Sequence, residues 1–466
     1  MNGPIRRLAI GIFSAMGVLL LAVSWFQVVR ADALKTDPRN PRPALSERGK
    51  ERGLIVTRDG DVLARSTQAE GSRSFVREYP YSGTFAHTVG YSSFLVGATG
   101  LEAAYSAQLR SRRDLTISDL VAAILGRDLR PKNLEITLDL DLQQETLAAL
   151  GNHRGAVIAL DPATGAVLAA VSTPGFDPAE LLTNNAAENW ETLLIDPTRP
   201  LSDRATKELF APGSTFKTVV TAAALDTGQA GPGTLFADPI EFALPGSSST
   251  ISNFGERPCN DGVSVTLLEA FVRSCNTTFA DLSIQLGASD IGITAEALGF
   301  NQDIEFEWTV PEAVWLTSEL ATDDAALGQS GIGERDVRVT PLHMAMIAAA
   351  VANNGVLARP YMVGRVFDAD GETVETHQIS DLGRAMALET ASTLAQMMER
   401  VVTEGTGRRA AVPGVRVAGK TGTATGTGEF SNPWFIGFAP VDSPSIALAV
   451  FIEGGPESDY VRSLYC

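Results

Sequence analysis

The sequence predicts an α+β protein. A five-stranded antiparallel sheet flanked by helices is preceded by a transmembrane helix and a small N-terminal domain. Three observations carry that expectation. An apolar run, Leu8–Val29, opens the chain behind Arg6-Arg7. Strand-like apolar segments stand at both ends of the C-terminal two-thirds: Ala156–Leu160 and Ala166–Val171, then Val415–Thr423, Trp434–Ala439 and Ile446–Glu453. A mostly helical middle separates the two groups, so the sheet is assembled from both ends of its domain.

Residues 1–30 are expected to form a cytoplasmic tip and a membrane anchor. The 22 residues Leu8–Val29 carry only Ser14, Ser24 and Gln27 as polar side chains. At ~1.5 Å per residue the run spans ~33 Å, the thickness of a bilayer's hydrocarbon core. Basic residues ahead of it predict a cytoplasmic N-terminus and one pass, with the rest extracytoplasmic in the cell membrane. Ala31-Asp32-Ala33 has the form of a signal-peptide cleavage site, but the run is longer than a signal's apolar core, which favours an uncleaved anchor.

Residues 31–132 are expected to hold a linker and a small N-terminal domain whose residues show no chemistry of their own. Lys35–Gly49 is polar and proline-rich. Ile55–Leu63 reads as a hairpin turning at Asp59-Gly60. The catalytic domain is expected over 133–466. It begins with a helix at Asp141–Leu150, and its first two strands are joined by the turn Asp161-Pro162-Ala163-Thr164-Gly165. Ile446–Phe451 alternates little, so both faces of that strand expect cover. The tail Pro456–Cys466 shows no amphipathic pattern.

The net charge is −18, with +5 on residues 1–50 and −23 on the remainder. So acidic a body argues against nucleic acid as a partner. His87, His153, His343 and His377 show no metal-ligand spacing, and no metal or cofactor is called for. His343, inside the apolar stretch Thr340–Ala352, reads as a packed core residue. Cys259 and Cys275, sixteen apart and both exported to an oxidising side, are expected to form a disulfide.

The chemistry concentrates in three short motifs. Ser214-Thr215-Phe216-Lys217 follows Ala211-Pro212-Gly213, a helix start, and Gly228 is the stop signal. Ser214 therefore sits at a helix N-terminus, where free N–H groups and the dipole favour an oxyanion. Lys217 lies on the same helical face and, desolvated, can take the Ser214 proton. Ser274-Cys275-Asn276 offers a hydroxyl to relay a proton to a leaving amine and a carboxamide to bind a peptide backbone. In Lys420-Thr421-Gly422-Thr423, Lys420 can hold a carboxylate and Gly422 admits a close ligand. The N–H of Thr423 can complete an oxyanion hole with that of Ser214. Each motif alone has a bland reading, respectively a capped surface helix, a polar helix cap and a glycine-rich turn. Only two of six lysines fall at these two positions, in a chain where arginine is five times commoner, so a compact ammonium with a movable pKa is called for.

These S-x-x-K, S-x-N and K-T-G motifs, in this order, resemble those of the penicillin-interacting serine enzymes. With Arg52-Gly53-Leu54-Ile55, Gly100-Leu101-Glu102, Thr137-Leu138-Asp139, Gly328-Gln329, Thr340-Pro341-Leu342, Gly405-Thr406-Gly407 and Trp434-Phe435, nearly the whole chain resembles class B penicillin-binding proteins of the actinobacterial penicillin-binding protein A type. The resemblance implies the penicillin-binding/serine β-lactamase-like fold, whose C-terminal helix packed on the sheet is expected to be missing here, and makes the N-terminal domain a non-catalytic, pedestal- or dimerisation-like unit. It implies a D,D-transpeptidase that crosslinks peptidoglycan stem peptides ending in D-Ala-D-Ala during cell-wall synthesis and division. Ser214, Lys217, Ser274, Asn276 and Lys420 would be catalytic, and Thr421, Gly422 and Thr423 substrate-binding. β-Lactams would acylate Ser214, and a SEDS-family polymerase would be a membrane partner. Two alternatives stay open: a D,D-carboxypeptidase, or a β-lactam-binding sensor or scaffold without turnover.

Overall fold

The computed structural model describes residues 2–30, 49–71, 74–110, 129–426 and 430–454. The expected linker and the tail in which a closing helix was expected to be missing lie outside the described residues, apart from Gly49 at the linker's end. The chain divides into two units. The first comprises Met1–Glu51 with Thr67–Val76. In it, helix α1 (Asn2–Ser24) continues through a π-type turn, Trp25–Val29. Gly3–Gln27 is long and apolar enough to cross a membrane. Phe75 N donates to Gly49 O at 2.9 Å.

The second unit comprises Arg52–Ser66 with Arg77–Cys466. Strands β1 (Ile55–Thr57) and β2 (Val62–Gln68) form the predicted hairpin, closed by Gly60 at φ +94°. β3 (Asn133–Ile136) pairs parallel with β1. Two strands from much later in the chain, Val363–Phe367 and Thr373–Thr376, extend this sheet on the far side of β3. No local signal in the sequence announced their return. Beside the sheet, Glu102 is fully buried and bound by Arg52 Nε at 2.8 Å and Arg77 Nε at 2.6 Å.

Helix α2 (Leu140–Leu150) is capped by Asp139, whose carboxylate accepts from Leu142 N at 2.9 Å. β4 (Gly155–Leu160) and β5 (Val167–Thr173) follow. Next come α3 (Lys217–Asp226), α4 (Leu267–Arg273), α5 (Asn276–Ala297), α6 (Asp324–Gly331), α7 (Pro341–Ala352) and α8 (Leu388–Thr403). Strands β6 (Ala418–Thr425), β7 (Ser431–Ala439) and β8 (Ile446–Ile452) return. The sheet is five-stranded and antiparallel, in the order β6-β7-β8-β4-β5, so both ends of the domain build it as expected.

Two sequence expectations are corrected. Val415–Val417 is not strand: Val412 bridges back to Val415 across Pro413-Gly414, with Gly414 at φ +79°, and β6 begins only at Ala418. β8 does alternate in burial. Ala447, Ala449 and Phe451 are buried, whereas Ile446, Leu448 and Val450 are half-buried. The buried face packs on α7, in which Pro341–Val351 are all buried. His343 is in that helix. Its Nε2 lies 2.8 Å from Leu298 O, its ring meets Phe300 edge-on, and burial lowers its pKa to about 4.

Candidate active site

Three elements bring the motif residues together: the turn entering α3, the joint between α4 and α5, and the sheet-edge strand β6. Gly213–Phe216 form a 3-10 turn that runs into α3, so Ser214 stands at the mouth of a helix buried from Lys217 to Ala224. The turn is pinned from two sides. Gly213 (φ +53°) donates its N–H to Gly333 O at 2.9 Å. A Cβ at Gly213 would meet Thr423 O at 2.5 Å, and one at Gly333 would meet Gly213 O at 1.9 Å. Only glycine fits either place.

Ser274 ends α4 in the left-handed conformation (φ 62°, ψ 44°), an uncommon state for a non-glycine residue. α4 starts from a capping box between Thr266 and Glu269, and α5 starts at Asn276. The αL residue reverses the chain sharply enough for Ser274 and Asn276 to meet the same Lys217 amine. Lys217 Nζ donates to Ser274 O and Asn276 Oδ1, both at 2.8 Å, and lies 3.5 Å from Ser274 Oγ. Lys420 Nζ donates to Ser274 Oγ and Thr421 O, both at 2.9 Å. Ser274 thus links the two lysines.

Both lysines are fully buried. Burial, and then the charge of Lys420, hold the Lys217 pKa well below its ordinary value. Burial lowers that of Lys420 to about 7. A neutral Lys217 has two N–H bonds and one lone pair. With both N–H bonds given to Ser274 O and Asn276 Oδ1, the lone pair is left over. A neutral amine with a spare lone pair is the kind of group that can serve as a general base.

β6 is an edge strand, so one side of its backbone is unpaired. Thr425 N donates to Glu334 Oε1 at 2.9 Å and so points away from β7. Strand periodicity is two, so the N–H groups of Thr423 and Thr421 point the same way. The contact that a Gly213 Cβ would make with Thr423 O agrees, because each residue's N–H and C=O leave a strand on one side. The N–H of Thr423 therefore opens onto the cleft beside Ser214. A Cβ at Gly422 would meet Thr215 Cγ2 at 2.8 Å, so this glycine lets β6 lie directly on the turn. Thr421 Oγ1 shares a hydrogen bond with Thr406 Oγ1 at 2.5 Å.

The Cys259–Cys275 pair and several residues that the sequence reading did not single out hold these groups. Cys259 and Cys275 are joined by a disulfide. The turn carrying Cys259 is gathered by the buried Asp238 carboxylate, which accepts from Cys259 N (2.7 Å), Asn260 N (2.6 Å) and Gly262 N (3.0 Å). Buried Asn253 accepts from Asn276 N (2.8 Å) and Thr277 N (3.1 Å) and donates to Thr277 Oγ1 (3.1 Å). Thr406 N donates to Val272 O at 3.3 Å, tying β6 to α4. Glu334 binds both the N–H and the side chain of Thr425. Burial raises its pKa, against the Thr425 hydrogen bonds and the charge of Arg338. Apart from the two cysteines, only Gly405-Thr406-Gly407 left a trace in the sequence, through the resemblance.

A serine at a helix mouth with a buried lysine three residues on, beneath the free edge of an antiparallel sheet, is the pattern of lysine-assisted serine acyltransfer sites. Comparison with known proteins places the chain within that class. Residues 155–463 match the penicillin binding protein transpeptidase domain, and residues 52–134 match the penicillin binding protein A dimerisation domain. The chain belongs to the penicillin-binding protein transpeptidase family. It is 39% identical to the peptidoglycan D,D-transpeptidase PbpA of Mycolicibacterium smegmatis, over 98% of this chain and 94% of that protein. It is 38% identical to PbpA of Mycobacterium tuberculosis, over 98% and 95%. The structure of the M. tuberculosis penicillin-binding protein A penicillin G acyl-enzyme superposes with a TM-score of 0.79 at 36% identity, covering 87% of this chain and 94% of that one.

Proposed function

We propose that this protein is a peptidoglycan D,D-transpeptidase that works through an acyl-enzyme on Ser214 and is acylated there by β-lactams. The observation that carries the reading is the hydrogen-bonded chain Asn276–Lys217–Ser274–Lys420, which joins all three motifs. Neutral Lys217 takes the Ser214 proton as Oγ attacks the penultimate D-alanine carbonyl. The oxyanion receives the N–H groups of Ser214 and Thr423. Lys420, with Thr421, holds the terminal carboxylate, and Asn276 binds the donor's peptide backbone. Lys217 returns its proton through Ser274 to the leaving D-alanine amine. An acceptor amine then attacks the ester, loses its proton along the same route and releases Ser214.

The names of the relatives and the acyl-enzyme structure of one of them support this reading. The apolar helix supports a single-pass anchor, and Arg6-Arg7 ahead of it supports a cytoplasmic N-terminus with the catalytic domain outside the cell. This reading assigns 1–30 to the anchor, 31–132 to the linker and non-catalytic domain, and 133–466 to catalysis. A SEDS-family polymerase is the membrane partner it calls for. The test is labelling by a fluorescent penicillin. Wild-type protein labels and Ser214→Ala does not. Labelling retained in the variant, or absent from folded wild type, overturns the assignment.

A further inference from the structure

The free edge of β6 ends at a carboxylate that the reaction just described does not use. Thr421, Thr423 and Thr425 present their backbone groups to the cleft in turn, and Thr425 is capped by Glu334. The edge therefore has a polarity. The carboxylate-holding Lys420 and Thr421 stand at one end, the oxyanion donor Thr423 in the middle, and Glu334 at the other end. Four residues of strand span ~13 Å from Thr421 to Thr425.

An extended peptide that adds to this edge with its terminal carboxylate at Lys420 and Thr421 puts its scissile carbonyl at Thr423. The residue before its D-Ala-D-Ala then reaches the level of Thr425. Glu334 stands there, only half-buried, and among the described residues no cation is ion-paired with it. Arg338 acts on it only at a distance, and the guanidinium's Nη1 is committed to Arg335 O and Val337 O. A carboxylate has about four acceptor positions, so the Thr425 bonds leave capacity for a ligand. Gly333, one residue earlier, is locked against Gly213, which fixes Glu334 relative to Ser214.

We propose that Glu334 is a donor-side specificity residue that binds a primary ammonium on the side chain immediately preceding D-Ala-D-Ala. The substrate class is a stem peptide with a free cationic diamino residue at that position. The inference rests on the reading of Ser214 as the residue acylated by D-Ala-D-Ala donors.

The test is competition kinetics with two synthetic donors that differ only before D-Ala-D-Ala, one carrying lysine and the other Nε-acetyl-lysine. Wild type prefers the cationic donor by about three- to tenfold in kcat/KM, the range of a partly exposed charge-assisted contact. That preference shrinks as salt is raised. Glu334→Gln keeps an acceptor for Thr425 N and brings the ratio to about one. Glu334→Lys moves the preference to a donor carrying glutamate there. A role confined to supporting β6 lowers both donors together and leaves the ratio intact, which overturns the proposal. Equal use of both donors by wild type overturns it as well. Wild type that reacts with neither donor nor penicillin fails the underlying acyl-enzyme reading instead, a distinct result.

Discussion

Acylation of Ser214 should lose rate on the alkaline side with a midpoint near that of Lys420. This lysine is fully buried, and burial lowers its pKa to about 7. It is charged below that value and neutral above it, and only the ammonium attracts the carboxylate of a donor or a penicillin. The charged fraction falls to about one-tenth one pH unit above the midpoint and to about one-hundredth two units above. The acidic limb belongs to Lys217, which acts when neutral and whose pKa is depressed by burial and then by the charge of Lys420. Because each lysine feels the other, the two titrate as a coupled pair. The assay is the second-order rate of labelling by a fluorescent penicillin from about pH 5.5 to about pH 9, which reports the free enzyme. Lys420→Arg should lower the rate overall and abolish the alkaline limb, since a guanidinium stays protonated. A wild-type profile that stays flat to the alkaline end, or a limb that survives in Lys420→Arg, refutes the reasoning. The same shift bears on stability. A depressed lysine contributes stability above its unfolded value, and that contribution is lost as pH falls through about 7.

Three further outcomes follow. Glu453→Gln should cost about 3 kcal/mol in urea unfolding, because it strands the buried Arg204, whose Nε donates to Glu453 at 2.7 Å beside Arg154 and Arg199. Burial pushes the Glu453 pKa up but Arg204 and its neighbours outweigh it and hold it low, so its contribution is lost as acid protonates it. Asn253→Ala should cost about 1–3 kcal/mol and slow penicillin labelling, since Asn276 N and Thr277 N lose their acceptor; unaltered labelling would free Asn276 from that support. Replacing Cys259 and Cys275 together by serine should cost about 3 kcal/mol for a sixteen-residue loop. Alkylation of the wild type without reductant, followed by mass, should show neither thiol free.

The strands and the three motifs were legible because their signals are local. β4, β5, β7 and β8 are short apolar runs bounded by turns, and S-x-x-K places its two side chains by helical geometry alone. What was illegible is carried by pairs far apart in the chain. Thr373–Thr376 is exposed and polar, and becomes a strand only because Val363–Phe367 offers it an edge. Asp238 and Asn253 look like ordinary turn residues until Cys259 and Asn276 are brought beside them. Val415–Val417 misled through the opposite error: alternation is the same in a strand and in the exit from a Pro-Gly turn, and only pairing separates the two.

The site's dependence on such distant partners follows from the conformation of Ser274. A left-handed serine between two helices has little intrinsic preference to stay there. Its carbonyl and hydroxyl must nonetheless meet two different lysines, one on a helix and one on a sheet. The structure answers by fastening both flanks. The disulfide at Cys275 and Asn253 at Asn276 hold the α5 side, while Thr406 bridges Val272 and Thr421 on the α4 side. Neutralising either lysine leaves these fasteners in place. Removing one of them loosens the joint that both lysines share. Lesions in the fasteners should therefore depress every step that uses Ser274, whereas a lesion at Glu334, outside the joint, should alter the choice of donor.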